Sequence, residues 1–373
     1  MEKVLHISNY YNPHTGGIEQ TSEDFVNSIR GMYDQRVLCF KDARGTVTDK
    51  VNDVEVTRVG CQAKILSQSI AWHYRREMKR MMREFKPDIV VFHYPNPYVA
   101  RTLMKYLEKK SFKFVLYWHL DITKQKILGK LFNGQTRKLL KYADKIVSTS
   151  PNYVKGSAFL PNYEDKITII PSCVADDRVS VNADIKTKAL ELKEKYKSKK
   201  VIFAFGRHVE YKGLRYLIEA SKYLDDSYKV LIGGQGPLTD ELKKLAKDDN
   251  KVEFLGRLSL EDLKAHFILA DIFAFPSITK NEAFGLGLAE AMGFGKATVT
   301  FTIEGSGVNY VALNNVTCLE VENRNSKAFA DAIIKLSNDL ELKNKFEENA
   351  KKRFDELFTF AKYKENVINL LKF

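Results

Sequence analysis

Cysteine is scarce and scattered in this chain. Its 373 residues include four, Cys39, Cys61, Cys173 and Cys318, with no Cys-x-x-Cys spacing. That excludes a zinc framework and a disulfide scaffold and reads as buried thiols in a reducing compartment. Long apolar runs are missing too. No segment approaches the roughly 20 apolar residues that span a bilayer. The longest uncharged stretch near the middle, Ile89–Ala100, is broken by His93, Pro95, Asn96 and Pro97. The opening MEKVLHISNYYNP carries Glu2 and Lys3 and then reads as a strand, not as a signal peptide, so a cytoplasmic location is expected. No Asp-x-Asp pair occurs anywhere. Enzymes that hold a divalent ion against a diphosphate usually need such carboxylates.

Acidic residues are in the minority. Lys and Arg total 60 against 47 Asp and Glu, a net charge of +13. Residues 1–175 hold 28 basic and 17 acidic side chains, which is +11 of that excess. The density peaks between Arg101 and Lys145, with twelve basic and three acidic residues. Such a field draws nucleic acid, anionic lipid or a phosphorylated substrate. No nucleic-acid-binding module is recognisable, so nucleic acid is not an expected partner. Apolar and aromatic residues at helical spacing accompany the charge, in Ile70–Arg76 continuing through Met78, Met81, Met82 and Phe85, and again in Ile127–Phe132. Two readings stand side by side: surface helices with core-facing stripes, or amphipathic helices resting on an anionic membrane face.

Hydrophobic residues make up 44% and charged residues 29% of the chain, enough for real cores. Strand-like runs recur at Val4–Ser8, Arg36–Phe40, Val54–Val59, Ile89–His93, Phe112–His119, Lys145–Ser150 and Ile167–Pro171. A second series follows at Val201–Gly206, Lys229–Gly233, Val252–Gly256, Ile272–Pro276, Ala297–Phe301 and Cys318–Val321. Many are solidly apolar, as strands buried on both faces should be. Helical patterns fill the gaps, among them Leu214–Leu224, Leu238–Ala246, Leu260–Leu269 and Ala283–Gly293. This alternation predicts an α/β protein with two doubly wound, Rossmann-like domains. It pauses at Pro171–Ser180, which puts the boundary between residues 1–175 and 176–356. The stretch Leu340–Phe373 is helical with a break near Leu357–Thr359, and residues 357–373 are expected to pack back on the first domain. Two such domains create a central cleft, and open α/β sheets bind ligands beyond the C-terminal ends of their strands.

The most informative segment runs from Ser277 to Lys296. Glu282 sits in a strand-to-helix loop, the helix begins near Phe284-Gly285, and Glu290 lies about two turns inside it. The unpaired amides of a helix N-terminus, here Ala283, Phe284, Gly285 and Leu286, receive phosphate well. Glu290 falls among small and apolar neighbours, where a carboxylate is costly without partners. It suits the two hydroxyls of a ribose, and Glu282 suits the hydroxyls of a sugar. Arg207 and Lys212 follow the first strand of the second half. One grips phosphate oxygens bidentately and the other supplies a point charge.

Glu282-x7-Glu290, preceded by strand-Pro276-Ser277 and followed by Ala291-Met292-x-x-Gly295-Lys296, resembles the retaining nucleotide-sugar glycosyltransferases of family 4. The resemblance extends over nearly the whole chain. Gly206-Arg207…Lys212-Gly213, the loop Gly233-Gly234-Gln235-Gly236-Pro237, the turn Gly256-Arg257 and the N-terminal loop Gly16-Gly17 all match motifs of that family in order and spacing. It implies the GT-B fold and transfer of a hexose from a GDP-, UDP- or dTDP-linked donor. It implies donor-binding roles for Gly16, Gly17, Gly206, Gly234, Arg257, the 282–286 loop and Glu290. Catalytic roles fall to His119, Arg207, Lys212 and Glu282. His119 ends a strand and matches the histidine that lies beside the donor sugar, where it orients the sugar. His93 either lines the acceptor site or belongs to the core, and Asp121 either anchors His119 or meets the acceptor.

With cations and amides in place of an ion, no metal or other cofactor is expected. The resemblance further implies same-face attack, with the departing phosphate taking the acceptor's proton. One position departs from the family: Asn309 stands where a glutamate often follows the glycine-rich turn Gly305-Ser306-Gly307. That version resembles transferases of bacterial surface-polysaccharide assembly that use mannose or rhamnose donors. The basic first half fits a polyprenyl-diphosphate-linked or other glycan acceptor at the inner face of an anionic membrane. An epimerase, a phosphorylase or a non-catalytic nucleotide-sugar-binding protein on the same fold are the alternatives. The acid/base pair of the first and the pyridoxal lysine of the second are not evident.

Overall fold

Runs of β-branched and aromatic residues form the strands, and polar residues that cap helices set where the chain turns back. The computed structural model describes residues 1–14, 16–65, 68–122 and 128–373. It divides into two units: Met1–Thr149 with Ser157–Pro171 and Tyr363–Phe373, and Ser150–Gly156 with Ser172–Lys362.

The first unit holds β1 (Lys3–Ile7), β2 (Asp34–Lys41), β3 (Thr46–Val51), β4 (Val54–Gly60), a small hairpin of β5 (Ala63–Ile65) and β6 (Gln68–Ile70), then β7 (Ile89–Tyr94), β8 (Lys113–Trp118), β9 (Lys145–Ser148) and β10 (Ile167–Ile169). Its main sheet has the order β10-β9-β8-β7-β1-β2-β4-β3. Only β3 runs antiparallel, paired to β4 at the edge. Every residue of β7 is buried, as its unbroken IVVFHY sequence demands. Two strand-forming segments carry no strand pattern in the sequence. Thr46–Val51 is almost wholly exposed, so it carries no apolar alternation to betray it. Ile70 closes the hairpin, and the helix assigned from that point starts only at Tyr74. The Ile127–Phe132 stripe lies partly outside the described residues. From Leu128 the chain is helical to Tyr142.

The second unit holds β11 (Lys200–Phe205), β12 (Tyr228–Gly233), β13 (Val252–Gly256), β14 (Ile272–Phe275), β15 (Thr298–Phe301) and β16 (Cys318–Val321). Their order is β13-β12-β11-β14-β15-β16, all parallel. This is the doubly wound order, with its switch point between β11 and β14. Asn182, Ser259 and Asn325 cap the helices that start at Ala183, Leu260 and Ser326, each accepting a hydrogen bond from an amide three residues on. The helix Leu340–Leu357 stops at Phe358, which is fully buried, and Val174 N–H donates to the Phe358 carbonyl at 2.8 Å. A last helix, Phe360–Leu370, carries the chain into the first unit. There Lys145 Nζ donates to the carbonyls of Leu370 (2.6 Å) and Lys372 (2.8 Å). No helix among the described residues is long and apolar enough to cross a membrane.

Candidate active site

The second sheet places the loops after β11 and β14 side by side at its switch point, where such sheets receive ligands. Two glycines weld the motif loops together there. Gly213 has φ +61°, and a Cβ on it would stand 2.1 Å from the Pro276 carbonyl oxygen at the end of β14. Gly234 has φ +108°, and its Cβ would meet the Gly206 carbonyl at 1.9 Å. Only glycine permits both the left-handed backbone and the approach. The loops after β11, β12 and β14 are thereby locked to one another, and this fixes where Arg207 and Lys212 emerge.

Lys212 Nζ forms an ion pair with Glu282 Oε2, the two side chains being only 16% and 11% exposed. Ser277 Oγ donates to the same carboxylate oxygen at 3.1 Å. Burial works to lower the Lys212 pKa, but Glu282, Tyr211 and Glu290 outweigh it and hold the ammonium above its ordinary value. The Lys212 stem lies against Gly206, and its Nζ sits 5.0 Å from the Phe275 ring centre. Arg207 is exposed and has no carboxylate partner among the described residues. Arg257, beyond the edge strand β13, is also exposed.

The Glu282–Leu286 loop is braced from behind. Ser306 Oγ donates to the Glu282 carbonyl at 2.5 Å and Gly307 N–H to the Ala283 carbonyl at 3.0 Å. Asn309 ties the same segment down. Its Oδ1 accepts from Ile303 N–H at 2.8 Å and its Nδ2 donates to the Phe301 carbonyl at 3.1 Å. The amide standing where the family often has an acid is thus spent on the backbone. Helix Leu286–Gly293 follows, with Gly285 as its N-cap and no side-chain cap. Leu288 and Ala289 N–H donate to the Gly285 carbonyl (3.0 and 3.1 Å), which leaves the amides of Leu286 and Gly287 without an acceptor among the described residues.

Glu290 is 6% exposed, and its partner is a residue the sequence did not single out. Arg178 Nε donates to Glu290 Oε1. Burial works against the guanidinium charge, and Glu290 more than restores it, holding the Arg178 pKa above its usual value. Arg178 stands in the four-residue helix Asp176–Val179, far from any motif, so only its partner gives it away.

The remaining expected residues lie in the first unit. Gly16 and Gly17 are exposed at the start of helix Gly17–Ser28, and Gly16 has φ 179°, extended backbone that any residue adopts. His93, the penultimate residue of β7, is fully buried, and its Nδ1 lies 3.0 Å from Nε2 of His119. Burial pushes the His119 pKa down to about 3. Asp121 is 4% exposed and accepts from Trp118 Nε1 (3.0 Å), Ser157 Oγ (2.8 Å) and Ala158 N–H (3.0 Å). Those donors make it an anchor for the 157–160 turn.

A surface of fixed cations and open amides at a switch point, with two partnered carboxylates beside it, suits a phosphorylated ligand that also carries hydroxyls. Residues 15–178 match the family model described as Glycosyltransferase Family 4, and residues 186–353 match Glycosyl transferases group 1. The chain is 30% identical to D-rhamnosyltransferase WbpZ of Pseudomonas aeruginosa, over 96% of this chain and 92% of that one. It is 29% identical to O-antigen chain mannosyltransferase C of Escherichia coli, over 99% and 97% of the two chains. Among solved structures, Anabaena Alr3699/HepE in complex with UDP and glucose superposes with a TM-score of 0.78 at 15% identity, covering 100% of this chain and 99% of that one. The two Rossmann-like units are those of the GT-B class, and the chain belongs to the family 4 glycosyltransferases as a hexosyltransferase.

Proposed function

We propose that this chain is a retaining, metal-independent transferase that moves a hexose of the mannose or rhamnose type from a nucleotide sugar to a glycan carried on polyprenyl diphosphate, at the inner face of a bacterial membrane. The observation that carries this reading is the pairing of Lys212 with Glu282 beside Arg207 at the switch point of the second sheet. As the bond to the diphosphate breaks, negative charge grows on the leaving group, and fixed positive charge must meet it. Arg207, Lys212 and the Phe284–Leu286 amides at the start of helix Leu286–Gly293 supply that charge. Glu290, steadied by Arg178, takes the ribose hydroxyls. Glu282 holds sugar hydroxyls and His119 orients the sugar. No carboxylate is assigned as nucleophile, and the acceptor attacks the face that the phosphate leaves. The sugar preference rests on the relatives named for mannosyl and rhamnosyl transfer. The donor type is supported by the UDP named in the HepE complex.

A thermal-shift panel of GDP, UDP, dTDP and their sugars tests the site, because a ligand at about a hundred times its Kd adds roughly 2.7 kcal/mol to stability. One nucleotide should raise Tm by a few degrees, and Arg207→Ala should abolish the shift. Release of that nucleotide should require a lipid-linked acceptor and persist in EDTA. Loss of turnover in EDTA with rescue by Mg²⁺ would refute the metal-independent leaving group.

A further inference from the structure

The first sheet gathers imidazoles on one face. His6 of β1 pairs in register with Val91 of β7, and His93 of β7 pairs with Tyr117 of β8. Side-chain alternation then sets His6, His93, Tyr117 and His119 on the same side. Phe25, from the helix above, meets the rings of His6, His93 and Tyr117 edge-on at 5.5, 6.1 and 6.2 Å. The rings of His93 and His119 are near-parallel, with centres 5.3 Å apart. His6 and His93 are fully buried and His119 is 6% exposed.

Hydrogen bonding limits where the protons sit. Gln35 Nε2 donates to the Val26 carbonyl at 3.2 Å, so Gln35 Oε1 is the end that accepts from His6 Nε2, at 2.9 Å. His93 Nδ1 and His119 Nε2 lie 3.0 Å apart and share one hydrogen bond. Burial keeps both rings neutral at physiological pH. Each therefore carries a single ring proton. His93 Nε2 is buried with no hydrogen-bond partner among the described residues. Were the bridging proton on His119, His93 would have to carry its own proton on Nε2, a buried N–H without an acceptor. Orphaned buried donors are rarer in folded proteins than under-satisfied acceptors.

We infer that His93 is a positioning residue, whose Nδ1–H donates to His119 Nε2 and holds His119 in the tautomer that carries its proton on Nδ1. His119 then offers a ligand a neutral N–H donor through its other nitrogen. It selects an oxygen lone pair, on a sugar hydroxyl or a phosphate, and does not take a proton from the ligand. The consequence for sugar transfer rests on the role proposed for His119 above, whereas the tautomer does not.

Long-range ¹H–¹⁵N NMR on histidine-labelled protein without donor, with His119→Asn used to assign the signals, tests the tautomer directly. The expected result is a protonated Nδ1 and a bare Nε2 on His119. The reverse tautomer, or an even mixture, overturns the inference. His93→Phe keeps a ring and removes the donor, and His93→Asn keeps a donor near the Nδ1 position. The first should leave His119 as a tautomer mixture and lower kcat by roughly 10- to 100-fold, the scale of a misoriented contact. The second should restore both to within a few-fold of wild type. A His119 tautomer unchanged in folded His93→Phe sinks the positioning role. Loss of tautomer control with unchanged kcat would instead remove His119 from the donor site.

Discussion

Lys212 and Glu282 neutralise one another across the switch point of the second sheet, on loops that follow β11 and β14. In the proposed reaction a donor diphosphate competes for the same ammonium, and the pair would be both a structural contact and the charge that meets the leaving group. Lys212→Ala should lower turnover by roughly a hundred- to a thousand-fold. It also strands a carboxylate that is 9% exposed, so Tm should fall. Lys212→Met with Glu282→Gln should recover the Tm and not the turnover. Recovery of both in the double variant would show that the pair has no catalytic part.

Arg178 makes a second case. Its partner Glu290 is 8% exposed at the side chain and Arg178 itself 33%, so solvent screens the pair in part. Arg178→Ala should cost about 1–2 kcal/mol in stability, less than a fully buried pair would. Nucleotide affinity should fall with it, as Glu290 loses its orientation. A double-mutant cycle with Glu290→Gln reads the coupling. Additive losses in nucleotide Kd would separate Arg178 from the site.

Burial holds the His6 pKa at about 4 and that of His119 at about 3, below the ordinary histidine value of 6.5. Between those values and 6.5 the unfolded chain binds more protons than the folded one. The stability these neutral rings confer is therefore complete above pH 6.5 and is lost as pH falls toward 3–4. Each ring contributes up to about 1.4 kcal/mol per pH unit within the window. Urea midpoints measured from pH 7.5 to 5 should decline, and His6→Gln should flatten the decline. A flat wild-type profile would contradict the neutral row.

Trp72 is 79% exposed, whereas the only other tryptophan, Trp118, is fully buried. Ala71 before it and Tyr74 two residues after it are fully buried, and exposed Arg75 and Arg76 follow close by in the chain. Anionic vesicles should shift Trp72 emission to the blue, and about 0.5 M salt should reverse the shift by screening. Arg75→Ser and Arg76→Ser should each weaken binding about five-fold, the worth of one cation at an anionic surface. No shift at low salt, or an equal one with neutral vesicles, would remove the anionic surface as a partner.

Much of the architecture was legible because buried parallel strands are written as solid apolar runs. IVVFHY at β7 and VIFAF within β11 need no tertiary context to be read. Thr46–Val51 was not legible, since an exposed edge strand has no apolar face. Of the site, the sequence alone determined the motif residues and their spacing. Glycines such as Gly213 and Gly234 are demanded by the backbone, and Glu282, Glu290, Arg207 and Lys212 stand at strand ends and in the loops and helix that follow. Only the tertiary structure decided which charges meet. Arg178 is 112 residues from Glu290, and nothing local marks it as a partner. His93 and His119 touch because β7 and β8 are neighbours in register. Local pattern records what a residue needs from its own backbone and from burial, while pairing across strands and loops depends on the order in which the sheet is assembled.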